Sequence, residues 1–132
     1  MVNRYYAAVN ARRFDEYDEL FATNATLEGP GGVTGIGPDA MRRFDQVWTN
    51  ASSNFTVTPL VQVADWGRVS SENMAEGTHD GLLVLPAGEL PATGGEFGGK
   101  YVGTFVVSGG RIVSQHVYYD RMIVVEQLMS SD

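Results

Sequence analysis

Residues 38–63, PDAMRRFDQVWTNASSNFTVTPLVQV, change their hydrophobic period halfway along. Met41, Phe44, Val47 and Trp48 recur at three- and four-residue steps, the spacing that lays one apolar stripe along an α-helix. Gly37 and Pro38 mark its start, because proline at a first helical position gives up an N–H that has no partner there anyway. Residues 50–53 end it. From Asn54 onward, Phe55, Val57, Val61 and Val63 alternate with Thr56, Thr58 and Gln62, the period of a strand with one buried face. At this point the chain passes from helices to sheet.

Toward the N-terminus, Tyr5 or Tyr6, Val9, Phe14, Tyr17, Leu20 and Phe21 fall at helical intervals, with Arg12 and Arg13 at a break, which predicts a pair of short helices. Residues 25–28 read as a brief strand. Residues 29–37, GPGGVTGIG, carry too much glycine for regular structure and read as a loop. Toward the C-terminus, Asp65-Trp66-Gly67-Arg68 is a hairpin turn into a strand over 69–79, and residues 82–85 form a short apolar strand ending at Pro86. Residues 86–99, PAGELPATGGEFGG, read as a loop or arm. Strands over 100–107 and 112–119 follow, joined at Ser108-Gly109-Gly110, and a helix over 121–129 closes the chain. Helices first and antiparallel strands afterwards define an α+β class, with helices packed on the concave face of a strongly bent sheet and a pocket between them. The last two strands are apolar on both faces, so a second copy of the chain is expected on the outer one as a homodimer.

The 132 residues suit one domain, residues 1–132. A formal charge of −7 disfavours nucleic acid or an anionic membrane surface as partner, since either rewards a basic face. No apolar run approaches the about 20 residues of a membrane span, and residues 1–10 lack a signal-peptide pattern, so a soluble cytoplasmic protein is expected. Without cysteine, and with two histidines far apart, no metal-ligand spacing exists and no cofactor is implied. Any catalysis falls to carboxylates, tyrosines, histidine or lysine.

The ordered landmarks RYYAAVNARRFDEYDELFATNATLEGPGG (4–32), GIGPDAMRRF (35–44), EGTHDG (76–81), LPATG (90–94) and SGGRIVSQHVYYD (108–120) resemble the SnoaL-like group of the nuclear transport factor 2-like superfamily. The resemblance implies a conical sheet whose mouth helices close, usually in a dimer. It covers cyclases of polyketide rings, steroid isomerases, epoxide hydrolases and proteins that only bind or assemble. Tyr5 matches the steroid isomerases' donor tyrosine, but Gly29 stands at their base position and Gly103 near their protonated aspartate. Val117 stands where cyclases and epoxide hydrolases carry an acid, three residues before Asp120.

Strand parity indicates what takes their place. With Ser108-Gly109-Gly110 as a three-residue turn, Tyr101 and Gly103 share a face with Gln115, Val117 and Tyr119, and these line the pocket. Gln115 and Tyr119 are expected to donate to a ligand oxygen. Tyr5 either orients the ligand or packs in the core, and Trp48 either shapes the entrance or belongs to the helix stripe. His79 in EGTHDG is the first candidate acid/base, with Glu76 or Asp80 to orient it, against a strand-end histidine bonded to backbone. Asp120 either caps the last helix or serves as a rim acid or base. His116 belongs on the outer face. The expected function is a pocket for a small apolar, oxygen-bearing metabolite, as an accessory cyclase, isomerase or hydrolase of secondary metabolism. The alternative is a non-catalytic binding or dimerisation domain.

Overall fold

The computed structural model describes residues 1–129. Helix α1 (Val2–Ala11) ends where Arg12 takes a left-handed conformation at φ 58°, and a 3-10 turn (Phe14–Glu16) leads into the single turn α2 (Tyr17–Leu20). The break falls at the expected arginine pair. Strands β1 (Phe21–Gly29) and β2 (Val33–Ile36) precede α3 (Pro38–Ala51), which starts on its proline. Strands β3 (Thr56–Asp65) and β4 (Arg68–Thr78) form a hairpin, β5 (Leu83–Leu85) pairs with β6 (Gly88–Leu90), and β7 (Glu96–Ser108), β8 (Arg111–Tyr118) and α4 (Arg121–Met129) complete the chain.

The main sheet runs β2-β1-β8-β7-β4-β3. All of its pairings are antiparallel except β1 with β8, which run parallel. The sheet is strongly curved, with α1, α2 and α3 against one face, and Tyr5, Tyr17, Phe21, Met41 and Phe105 are buried between the layers. Two residues tie α1 to the sheet edge. The Asn10 amide donates to Val57 O and accepts from Val57 N, both at 2.8 Å, and so imitates a neighbouring strand. The Arg12 guanidinium donates to the carbonyls of Ser52, Ser53 and Phe55.

Several sequence expectations need correction. Residues 29–37 are not all loop: β2 forms on β1, with Leu27 opposite Gly35. Glycine is required there by packing, because a Cβ on Gly35 would stand 2.6 Å from Ala40 Cβ, where α3 crosses the strand. Residues 86–99 are not all loop either. β6 pairs back on β5, and β7 begins at Glu96, burying Phe97, while a Cβ on Gly98 would meet Ala75 O at 2.6 Å. Finally, β3 does not keep one buried face. Pro59 faces Asn73 but Val61 faces Glu72, so Leu60 is the extra residue of a bulge. A one-residue slip inverts every side chain beyond it. Val57 is therefore buried, whereas Val61 and Val63 are exposed.

A second bulge sets the β7/β8 register. The turn is a two-residue one, Gly109-Gly110 at φ 61° and 77°, closed by the pair Ser108/Arg111. Val107 then faces Ile112 but Val106 faces Ser114, which leaves Val113 as the extra residue. The expected three-residue turn is absent, yet the bulge restores the same parity: Gly103 faces Val117 and Phe105 faces Gln115.

Gly35→Ala is expected to destabilise the fold by about 1–3 kcal/mol in urea denaturation, through overpacking against α3. Gly99→Ala is the control, since its methyl meets nothing within 4 Å; it should stay within about 0.5 kcal/mol of the parent. Equal stability of the two variants would contradict the account of β2.

Candidate functional site

Helix α3 turns Met41, Asp45 and Trp48 to the interior, positions four and three residues apart on one face. Asp45 thus carries a carboxyl into an aromatic core. Tyr5 Oη lies 2.9 Å from both of its oxygens, and Tyr17 Oη donates to Oδ2 at 2.6 Å. Among the described residues its hydrogen-bond partners are these two phenols, with no basic side chain paired to it. The balance of forces is legible. Burial disfavours the charged form and raises the carboxyl from 3.8 to about 7, with the bonds from Tyr17 and then Tyr5 pulling in the opposite direction. The same burial, followed by the Asp45 charge, raises the Tyr5 phenol well above its ordinary value.

Gln115 on β8 completes the group, its Nε2 donating to Tyr5 Oη at 3.1 Å. A second buried network lies beside it: Asn73 donates to Tyr6 Oη at 2.9 Å, and Ser71 to Asn73 Oδ1 at 2.6 Å. Gly103 makes room for that network, since a Cβ there would stand 2.9 Å from Tyr6 Oη. Gly29 is likewise covered by the Phe44 ring, 2.8 Å from where its Cβ would be. The two glycines therefore admit a phenol from α1 and a phenyl ring from α3.

A cavity of about 150 Å³ opens onto this group. Tyr5, Asp45, Gln115 and Val117 are its buried floor, while the rings of Trp48, Phe97, Tyr101 and Tyr119 form the walls. Exposed Lys100, Asp120 and Ile123 mark the mouth. Trp48 Nε1 donates to Tyr119 Oη at 3.3 Å, which leaves the Tyr119 proton available, and burial raises that phenol to about 12.

The structure brings Tyr5, Trp48, Tyr101, Gln115, Val117 and Tyr119 together around one cavity, with Asp120 at its rim. Asp120 also caps α4, its Oδ1 accepting from Met122 N at 2.9 Å. His79 stands apart. It is fully buried but does not line the cavity, and its Nδ1 accepts from Thr93 N at 3.2 Å while its backbone bonds Gly94 and Gly95. It fastens the chain before β7 to the end of β4. His116 lies on the outer face, 3.5 Å from Glu28. Sequence reading missed Asp45 and the role of Tyr17. The available signal was a carboxylate centred between Met41 and Trp48 on a stripe otherwise apolar. Among the described residues, no three His, Cys, Asp or Glu side chains gather where they could hold a metal ion. Nor is any helix long and apolar enough to cross a membrane.

A curved sheet closed by helices around an apolar cavity with a buried acid defines a cone-shaped pocket protein. The chain belongs to the SnoaL-like domain family, whose model matches residues 2–115. No curated protein matches it in sequence. Among solved structures, it is similar to a candidate SnoaL-like polyketide cyclase from Jannaschia sp. CCS1, with a TM-score of 0.85 and 14% identity over 99% of this chain and 90% of the other. It is also similar to IdmH, a candidate polyketide cyclase from Streptomyces antibioticus, with a TM-score of 0.81 and 23% identity over 97% and 95%. An epoxide hydrolase from M. tuberculosis, of the LEH-like kind, gives 0.71 and 18% over 97% and 86%. At these identities the likeness carries the fold, that of nuclear transport factor 2 and ketosteroid isomerase.

The buried carboxyl couples stability to pH. Its folded pKa of about 7 lies above the ordinary 3.8, so the folded chain holds a proton that the unfolded chain releases. That contribution is complete below about pH 4 and is lost as pH rises through about 7. From pH 5 to pH 8 the parent is expected to lose on the order of 2–4 kcal/mol relative to Asp45→Asn in urea denaturation. Parallel pH profiles for the two proteins would contradict it.

Proposed function

We propose that this chain binds a small, largely apolar, oxygen-bearing molecule in the cavity and moves a proton on it with Asp45, as an isomerase, cyclase or hydrolase using its own side chains. The observation that carries this reading is a carboxyl on the floor of an open apolar cavity, poised near neutral pH. A general base works best when its pKa lies near the working pH, because enough is ionised and the conjugate acid can still return the proton. Tyr5 and Tyr17 hold the carboxyl in place and Gln115 holds Tyr5. In the proposed step Asp45 takes a proton from a carbon beside a carbonyl, and the electron pair moves to the carbonyl oxygen. Tyr119 supplies a free O–H toward that oxygen, and protonated Asp45 then returns its proton elsewhere on the ligand. The group that the strands lack at Gly29, Gly103 and Val117 is supplied by a helix.

An NMR assay of deuterium uptake tests this without knowledge of the natural substrate. Small aromatic ketones such as 1-tetralone should exchange their α-hydrogens faster with the protein than without it. The rate should rise with pH through about 7, as Asp45 ionises. Asp45→Asn should lower it by about 100-fold or more. Exchange that persists in Asp45→Asn would remove Asp45 as the base. No exchange by the parent, together with tight binding of the ketone, would favour the non-catalytic pocket.

A further inference from the structure

Gln115 is the one side chain on the cavity floor whose hydrogen bonds fix the polarity of what can lie against it. Tyr5 has a single phenolic proton, and both Asp45 oxygens lie 2.9 Å from its Oη. An ionised carboxylate accepts only, so that proton belongs to Asp45 and Tyr5 Oη is left with lone pairs for Gln115. The amide must therefore present Nε2 to Tyr5, as observed at 3.1 Å. Reversed, it would set Oε1 against an oxygen whose proton is already engaged. Oε1 is consequently turned away from Tyr5, on a side chain only 3% exposed that lines the cavity. Among the described residues it has no hydrogen-bond partner. Its neighbours on the sheet bring no donor: Phe105 faces Gln115 on β7, Leu27 faces it on β1, and Val117 is the next residue on the same face. A buried carbonyl oxygen without a donor is unfavourable enough that natural structures rarely leave it so.

We propose that Gln115 Oε1 is the acceptor that reads the ligand, so the cavity selects a compound with an O–H on a flat apolar body, a phenol or an enolised ketone. The inference rests on the pocket reading above and sharpens it. It also reverses the sequence expectation, since the N–H bonded to Tyr5 is committed and the free atom accepts. The aromatic walls of Trp48, Phe97 and Tyr101 suit the flat body, and a hydroxyl at Gln115 lies beside Asp45 on the same floor. An ether in that place would bring lone pairs against lone pairs. The second N–H of Nε2 is the rival reader, and it would favour a ligand that only accepts.

Three probes of one size class separate these cases: 2-naphthol, 2-methoxynaphthalene and naphthalene, titrated by fluorescence or calorimetry near pH 8, where Asp45 is ionised. A featureless apolar cavity prefers the two less polar compounds. The expected result is 2-naphthol binding about tenfold tighter than either, the worth of one well-placed hydrogen bond. In Gln115→Met the preference should fall to within about twofold, while naphthalene affinity stays close to the parent's. The comparison within the parent needs no variant to fold. Equal binding of 2-naphthol and naphthalene overturns the inference and leaves the pocket standing. Preference for 2-methoxynaphthalene overturns it in favour of the N–H, and a hydroxyl preference unchanged in Gln115→Met transfers the role to another group such as Asp45. Failure of all three probes to bind overturns the pocket reading, and this inference with it.

Discussion

One carboxyl buried among aromatic rings governs the interior. Asp45 has no cation to pair with among the described residues, so the fold must either hold it neutral or stabilise its charge with donors. It does both by halves. Burial raises the carboxyl while two phenols lower it, and the result sits where each form is populated near neutrality. That balance requires Tyr5 and Tyr17 to be placed within hydrogen-bond reach from separate elements. Asn10 and Arg12 serve this placement by bonding α1 to the edge of β3 and to the residues before it. The Val113 bulge serves it from the other side, because it turns Gln115 inward to meet Tyr5. Remove either anchor and the carboxyl loses part of its support.

The same interior explains the glycines at positions 29 and 103 and the valine at 117, where the family resemblance set the expectation of reactive groups. Gly29 and Gly103 are closely approached by Phe44 and Tyr6, so a carboxylate at either would displace a ring or a buried phenol. Val117 is a buried part of the floor. The acid instead descends from α3, one helical turn from Trp48 and Met41. A fold shared with other proteins thus carries a buried carboxyl on a helix, and one fold can hold different sites.

Much of the architecture was legible because periodicity reports burial. The helix stripe of α3, the arginine break after α1, the hairpin at Trp66-Gly67 and the closing helix all follow from local spacing. What escaped depends on contacts distant in sequence. β2 exists because Gly35 lets α3 lie close, and β7 starts early because Phe97 has a core to enter. The alternation from Phe55 to Val63 misled in another way: the bulge at Leu60 inverts the parity of β3, a slip that alternation alone does not reveal. At the site, strand parity placed Tyr101, Gln115, Val117 and Tyr119, the helix stripe placed Trp48, and the family resemblance singled out Tyr5. Asp45 was passed over: its place between Met41 and Trp48 puts it on the inner stripe, but the two tyrosines that bind it come from other elements, and only the fold brings them into position. His79 drew notice as a titratable group in a distinctive motif, yet its ring holds Thr93 and stands outside the cavity.

The claim on which this account stands is that Asp45 is a neutral-range acid inside the cone. Carbon-13 NMR of the carboxyl carbons, followed from about pH 3 to pH 9 and assigned by comparison with Asp45→Asn, measures it directly. The account predicts that one aspartate resonance titrates with a midpoint near 7 and disappears in the variant. An Asp45 resonance that titrates near the ordinary 3.8 would show a carboxyl reached by water, and would contradict the buried acid.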